Sequence, residues 1–416
     1  MVVKKGCLII VATLLMLSGC NDVRTSTSSS VEQQRSNQEM KKKEKPPIDI
    51  IQQKVNAMSI DEKIGQLIIA GVEGTGLTSN NRNLLTKDKV GGIIIMGGNV
   101  QNANQLKNLI NTIKTQHQAS EIPLFISTDE EGGRVSRMPP EINGLPTNEA
   151  IGKINNAAYS YGVGSILAKE LKSFGFNMDF APVLDINSNP NNPVIGDRSF
   201  SNRPDIVTKL GIQTMKGLQD NKVISVVKHF PGHGDTKTDS HLDLPIVDAP
   251  LQKLRSFELQ PFRAAIEEGA DGVMVAHILL RSLDNKNPAS LSQTVITKLL
   301  REELDFNGVV FTDDLTMKAI TRYHKIGEAA VLSIQAGADV VLVCHDYRNV
   351  TAVLNALKVA VNTNKITKAR LDESVYRILT LKQKYQLSDQ VTGPVNIKDI
   401  NQQISELLVT KGANAR

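Results

Sequence analysis

Between residues 48 and 387, short apolar runs alternate with longer segments whose apolar positions recur three and four residues apart. The apolar runs fall at 66–71, 91–96, 123–127, 178–182, 223–227, 272–276, 308–311 and 338–342. Most are continuously Val/Ile/Leu-rich rather than alternating, which is the pattern of strands buried on both faces. Helix-period segments lie between them, at 102–118, 155–174, 205–219, 251–268 and 320–336. Strands separated by helices imply a parallel sheet covered on its faces. Eight such units predict an α/β fold, a (β/α)8 TIM-type barrel forming a single domain over 48–387. A doubly wound open sheet is the structural alternative.

The flanks break this pattern. Residues 1–19 carry Lys4 and Lys5, an apolar run at 7–17 and small residues before Cys20. This is the build of an export signal, too short for an ordinary membrane span. The ending Leu17-Ser18-Gly19-Cys20 resembles the bacterial lipobox, whose cysteine is lipidated and becomes the mature N-terminus. Two or more acyl chains on Cys20 would anchor the protein, each buried methylene contributing about 0.8 kcal/mol. Residues 20–47 are rich in Ser, Thr, Gln, Asn and Lys and read as a disordered tether. The expected location is extracytoplasmic, lipid-anchored to a bacterial membrane. Residues 388–416 read as a polar C-terminal tail, with a short helix at 400–409 and no second globular domain.

Composition narrows the options. With Cys7 in the signal and Cys20 acylated, only Cys344 remains, so stability rests on a core and not on disulfides. Cys344 itself sits in an apolar run and reads as a small buried hydrophobe. The net charge of +5 is thinly spread, with no basic stripe interleaved with aromatics, and does not suggest nucleic acid.

Polar motifs follow the strands, as a barrel with its site at the strands' carboxyl ends requires. Residues 129–137 (Asp-Glu-Glu-Gly-Gly-Arg-Val-Ser-Arg) follow the third strand, and 183–187 then 196–200 follow the fourth. His277 follows the sixth and residues 312–317 (Thr-Asp-Asp-Leu-Thr-Met) the seventh. The densest stretch is 228–245, Lys-His-Phe-Pro-Gly-His-Gly-Asp-Thr-Lys-Thr-Asp-Ser-His-Leu-Asp-Leu-Pro. It holds three of the seven histidines (His229, His233, His241) with Asp235, Asp239 and Asp243. Gly232 and Gly234 let this loop bend sharply and move.

Three chemistries use such residues. His229, His233 and Asp235 would suit a metal hydrolase, but Pro231, Gly232 and Gly234 keep the two rings off one helix face. Serine catalysis would need an exposed nucleophile elbow, and no G-x-S-x-G is present. Carboxylate-nucleophile glycoside hydrolysis fits best. Asp313 or Asp314 is placed as the nucleophile, the other capping the following helix, a role expected of Asp314.

The motifs at 129–137, 196–200, 228–241 and 312–317, in this order, resemble the family 3 glycoside hydrolases. More narrowly they are similar to the β-N-acetylglucosaminidase branch, the NagZ-type enzymes of peptidoglycan turnover. The resemblance covers about 48–385 and implies a (β/α)8 barrel. It implies Asp313 as nucleophile of a retaining double displacement and His241, paired with Asp239, as acid/base. An imidazole titrates near neutrality and can both give and take a proton, while Asp239 would hold its tautomer. By the same resemblance Asp129, Arg137, Arg198, Lys228 and His229 grip the sugar. His277 would be pocket wall, and Asp185 a sugar ligand or a support behind one. Glu130, Glu131 and Arg134 receive no role beyond surface or packing. No cofactor is needed for this mechanism.

The chain has no Trp and 4% aromatics, which disfavours an extended polysaccharide platform and favours a terminal sugar in a polar pocket. The expected function is hydrolysis of terminal β-linked N-acetylglucosamine from small glycans such as muropeptides, by a monomer. The alternatives are a β-glucosidase or other exo-glycosidase, a glycoside phosphorylase, or a sugar-binding lipoprotein without turnover. The 232–241 loop is expected to carry the Asp239–His241 dyad over the sugar.

Overall fold

The computed structural model describes residues 49–236, 239–240 and 242–413. Cys20, the signal and the tether lie outside the described residues, as do Lys237, Thr238 and His241. Residues Ile50–Arg416 form one unit.

Eight strands carry the domain: β1 (Ile68–Gly71), β2 (Gly92–Ile94), β3 (Phe125–Thr128), β4 (Met178–Asp179), β5 (Ile224–Phe230), β6 (Gly272–Val275), β7 (Val309–Asp314) and β8 (Val340–Val343). They close into a barrel in the order β1-β8-β7-β6-β5-β4-β3-β2. β1 pairs in parallel with both neighbours, Ile68 with Val341 and Ile69 with Gly92. An open sheet is therefore excluded. Phe125, Phe180 and Phe311 meet edge-on inside the barrel, their centroids 6.5 and 5.9 Å apart. Deleting one such buried ring costs about 3–5 kcal/mol.

The strand positions match the apolar runs, but two boundaries differ where it matters. β5 runs on through Lys228 and His229 to Phe230, and β7 runs through Thr312 to Asp314. Ladder hydrogen bonds carry these strands past the end of the apolar pattern. The polar side chains thus sit on the barrel itself rather than on loops beyond it.

Local chemistry sets the helix ends. Asn156 caps Ala157–Phe174 by accepting from the Tyr159 amide, and Gly175, at φ +100°, ends that helix. The expected 251–268 helix is instead broken into Leu251–Lys253, a π-helical turn Leu254–Glu258 and Gln260–Glu267. Pro261 cannot donate to the preceding turn, which accounts for the break. The expected 320–336 helix is likewise two pieces, Lys318–Thr321 and Ile326–Ala336. Arg322 and Tyr323 between them reach Asp243 (3.0 and 2.7 Å).

The segment read as a polar tail instead packs on the barrel. Asp389 bonds His117 Nδ1 (2.7 Å) and the Leu124 amide (3.2 Å). The helix Ile397–Ala413 buries Ile400 and Ile404. Its polar residues face out, so its composition reads as solvated although its inner edge is core. No helix among the described residues is long and apolar enough to cross a membrane.

Candidate active site

A cavity of about 450 Å3 opens at the carboxyl ends of the strands. Asp129, Arg137, Arg198, Lys228, His229, Asp239 and Asp313 all line it. Four loops or strand ends separated by up to 184 positions in sequence (Asp129 to Asp313) therefore converge on one space. His241 lies outside the described residues.

Lys228 and His229 are consecutive, yet both side chains line the cavity. The pairing of β5 with β6 shifts register between Val227 and Phe230, which interrupts strict alternation there. Lys228 is buried, and its Nζ lies 2.7 Å from both Asp129 Oδ1 and Glu131 Oε1. Arg198, on the short helix Gly196–Arg198, makes a fork onto Glu131: Nε to Oε2 at 2.8 Å and a terminal nitrogen to Oε1 at 2.7 Å. Burial alone would push the Glu131 carboxyl up, but Arg198 and Lys228 outweigh it and hold the group well below the usual carboxylate range. Burial would likewise strip the proton from Lys228, but Asp129 and Glu131 more than compensate and keep it a cation.

Behind this pair runs a second chain of contacts. Asp185, fully buried, accepts from His229 Nδ1 (2.6 Å) with one oxygen and from the His233 amide (2.6 Å) with the other. Burial raises this carboxyl, yet His229 and His233 outweigh it and hold it below its ordinary value. A carboxylate can only accept, so His229 Nδ1 carries a proton. In the neutral ring Nε2 is then an acceptor, and it faces an Arg198 nitrogen at 3.4 Å. His233 is pushed down to about 4 by burial and stays neutral near pH 7. Thr236 Oγ lies 2.9 Å from its Nδ1.

The loop after β5 is pinned from the β4 side. The Asn192 amide donates to the His233 and Gly234 carbonyls (2.9 and 3.1 Å) and its oxygen accepts from Val194 and Ile195 (2.9 Å each). A Cβ on Gly234 would lie 1.6 Å from the Ile186 carbonyl oxygen, so only glycine fits. Farther along, the Ser240 carbonyl accepts from the Ala319 amide (3.2 Å). The Asp239 segment is thereby tied to the helix Lys318–Thr321 that follows β7.

At the end of β7, Asp313 Oδ1 accepts the Asp314 amide (2.8 Å). Asp314 does not cap the next helix. Its oxygens take the Thr316 amide and hydroxyl and the Cys344 amide (3.0 Å), bracing the turn against β8. The cap position is Met317, with no side-chain bond.

Other expectations change too. His277 is buried behind the cavity, bonding Ser290 Oγ (2.7 Å) and the Asp314 carbonyl (2.9 Å). Asp235 turns away to Lys253 (2.8 Å), so it does not join His229 and His233 as a metal triad. Among the described residues no cluster of three His, Cys, Asp or Glu could hold a metal ion. Arg134 ties the β3 loop to the β4 loop through Asp197 (2.7 Å). Glu130 and Glu131, read from sequence as surface or packing residues, are both buried. Glu131 is the larger omission. Its cationic partners lie 67 and 97 positions away, and the one local signal is an acidic pair at a strand's carboxyl end.

Known proteins share the family and the fold. The family described as the glycosyl hydrolase family 3 N-terminal domain matches residues 59–381. Over 334 residues the chain is 39% identical to beta-hexosaminidase A of Pseudoalteromonas piscicida, covering 74% of this chain and 56% of that protein. It is 35% identical over 327 residues to a beta-hexosaminidase of Nitrosomonas eutropha, covering 76% and 92% of the two. Among solved structures, a glycoside hydrolase family 3 beta-N-acetylglucosaminidase from Paenibacillus sp. str. FPU-7 superposes with a TM-score of 0.80 at 41% identity, over 84% of this chain and 68% of that one. With its closed parallel barrel and the site at the strands' carboxyl ends, the chain belongs to glycosyl hydrolase family 3, where its relatives include beta-hexosaminidases.

Proposed function

We propose that this glycoside hydrolase is a retaining exo-β-N-acetylglucosaminidase that removes terminal β-linked N-acetylglucosamine from small glycans, peptidoglycan fragments among them. The observation that carries the reading is the convergence of Asp313, Asp239 and five sugar-gripping candidates on one cavity. Its volume falls in the range of small-ligand pockets.

In the first step the Asp313 carboxylate attacks the anomeric carbon while His241 gives its proton to the leaving oxygen. In the second, His241 takes a proton from water, which displaces Asp313 with net retention. Asp239 steadies the imidazole. Asp129, Arg137, Arg198, Lys228 and His229 hold the sugar's hydroxyls and acetamido group by charge-assisted bonds. Arg137 suits this use, because its buried Nε has no partner among the described residues.

The reading includes export and anchoring through a lipid on Cys20, with 20–47 as tether and the catalytic unit acting as a monomer. It rests on the Leu17-Ser18-Gly19-Cys20 motif. Cys20→Ser should release the protein from membranes; unchanged membrane retention would remove the anchor from the account.

Soluble protein beginning near residue 47 should release p-nitrophenol from its β-N-acetylglucosaminide, and Asp313→Ala and His241→Ala should lose most of that activity. Turnover of the β-glucoside alone would overturn the substrate. A rate that depends on added phosphate would make the enzyme a phosphorylase.

A further inference from the structure

We infer that Glu131 is the positioning residue of the sugar site: one buried carboxylate fixes Arg198 and Lys228 in the places from which they grip the substrate. The inference deepens the proposed function and rests on it for the identity of the sugar.

The geometry is that of a hub. Glu131 Oε1 receives both Lys228 Nζ and an Arg198 terminal nitrogen at 2.7 Å, while Oε2 receives Arg198 Nε at 2.8 Å. The three residues come from the loop after β3, the loop after β4 and β5, so a single side chain joins three elements. Its side chain is 2% exposed, as is that of Lys228. With three charged donors on two oxygens, Glu131 holds the cations and leaves the sugar to them. The chain is turned to permit this. Gly132 and Gly133 lie at φ +78° and +57°, and the Glu131 amide donates back to the Val135 carbonyl (2.9 Å).

Without Glu131, Arg198 would lose the carboxylate that its fork grips and Lys228 would keep Asp129. Breaking one partner out of a buried charge network is strongly unfavourable, because the remaining charges stay buried. A glutamine keeps the shape but presents an amide group, itself a donor, to a donor.

The test compares Glu131→Gln, Arg198→Met and the double variant, with Leu300→Ala as a core change remote from the site. Glu131→Gln is expected to lower kcat/KM by about 100-fold. In the Arg198→Met background it should cost about 10-fold or less, the share left by its hold on Lys228. Full multiplicative loss would show that Glu131 acts independently of Arg198. A second alkaline limb of kcat/KM, above the one set by the His241 proton, reports the Lys228 charge and should move to lower pH. Asp129 and Glu131 sustain the Lys228 charge against burial and Arg198, with Asp179 on β4 facing it too. Leu300→Ala should leave that limb in place, and an unmoved limb in Glu131→Gln overturns the inference. A crystal structure of Glu131→Gln is independent of turnover. Displacement of the Arg198 guanidinium and Lys228 Nζ is expected, and both groups in place would refute the positioning role. A wild type inert on N-acetylglucosaminides would defeat the proposed function, and the crystal comparison would still decide this inference.

Discussion

Replacing Asp185 by asparagine changes no volume but reverses a hydrogen-bond direction two steps from the sugar. The asparagine oxygen can still accept the His233 amide, now made at 2.6 Å. Its amide nitrogen must then face His229 Nδ1, where the wild-type carboxylate accepts at 2.6 Å. An amide donates, so the His229 proton moves to Nε2 and points at the Arg198 nitrogen 3.4 Å away. The variant loses one charge-assisted bond, about 1.5–3 kcal/mol, and sets donor against donor, about 1–3 kcal/mol. A working total of about 4 kcal/mol, divided evenly, lowers the unfolding free energy by about 2 kcal/mol and kcat/KM by about 30-fold. The pH dependence has a fixed sign. The folded Asp185 carboxyl is held below its ordinary value by His229 and His233 against burial. Its stabilisation is therefore present above the unfolded value near 3.9 and fades as pH falls through the lower folded value. The stability gap between wild type and Asp185→Asn should be widest near neutrality and close in strong acid. Urea unfolding across pH and steady-state kinetics on the p-nitrophenyl substrate measure both. A variant within about 3-fold of wild type in kcat/KM and equal to it in stability at pH 7 would refute the tautomer argument.

Other perturbations read out separate parts of the structure. Burial pushes Glu130 up to about 7, so wild type loses stability as pH rises from the unfolded carboxyl value through that point. Glu130→Gln, which still accepts from Ser136 and the Arg137 amide, should gain about 1–3 kcal/mol on wild type between pH 5 and 8; a flat difference would contradict this. Burial lowers Lys382 to about 7 where its Nζ meets Gln66 and the Gly91 carbonyl beneath Phe125. Wild-type stability should thus rise from pH 7 toward 10 relative to Lys382→Met, and a constant offset in thermal melts would show that the lysine is not desolvated. Gly234→Ala must push the β5 loop off Ile186 and should cost about 1–3 kcal/mol and most of the activity. A fully active variant would mean that the loops are not packed as described.

Much of this was readable from the chain because parallel strands buried on both faces leave continuous apolar runs, and all eight were found that way. The runs end where β5 and β7 turn polar, so Lys228, His229, Asp313 and Asp314 looked like loop residues although ladder bonding holds them on the barrel. The sugar-gripping candidates were identified by motif. Of their supports, Asp185 reads from sequence as a sugar ligand or a support behind one, while Glu131 gains meaning only from partners on other elements. An acidic pair followed by two glycines, as at 130–133, has the composition of a solvated loop, and only the fold reveals that Glu131 is buried. The same holds for Asp314, whose neighbour at the end of the adjacent β8, Cys344, turns an expected helix cap into a brace.

The central claim is that Asp313 forms a covalent bond to the sugar. Incubation with a 5-fluoro-N-acetylglucosaminyl fluoride, which slows release of the glycosyl-enzyme, followed by peptide mass spectrometry, tests it directly. One sugar on the peptide bearing Asp313, absent from Asp313→Ala, is the expected result. A label on Asp314 or elsewhere, or turnover with inversion and no label, would contradict the account.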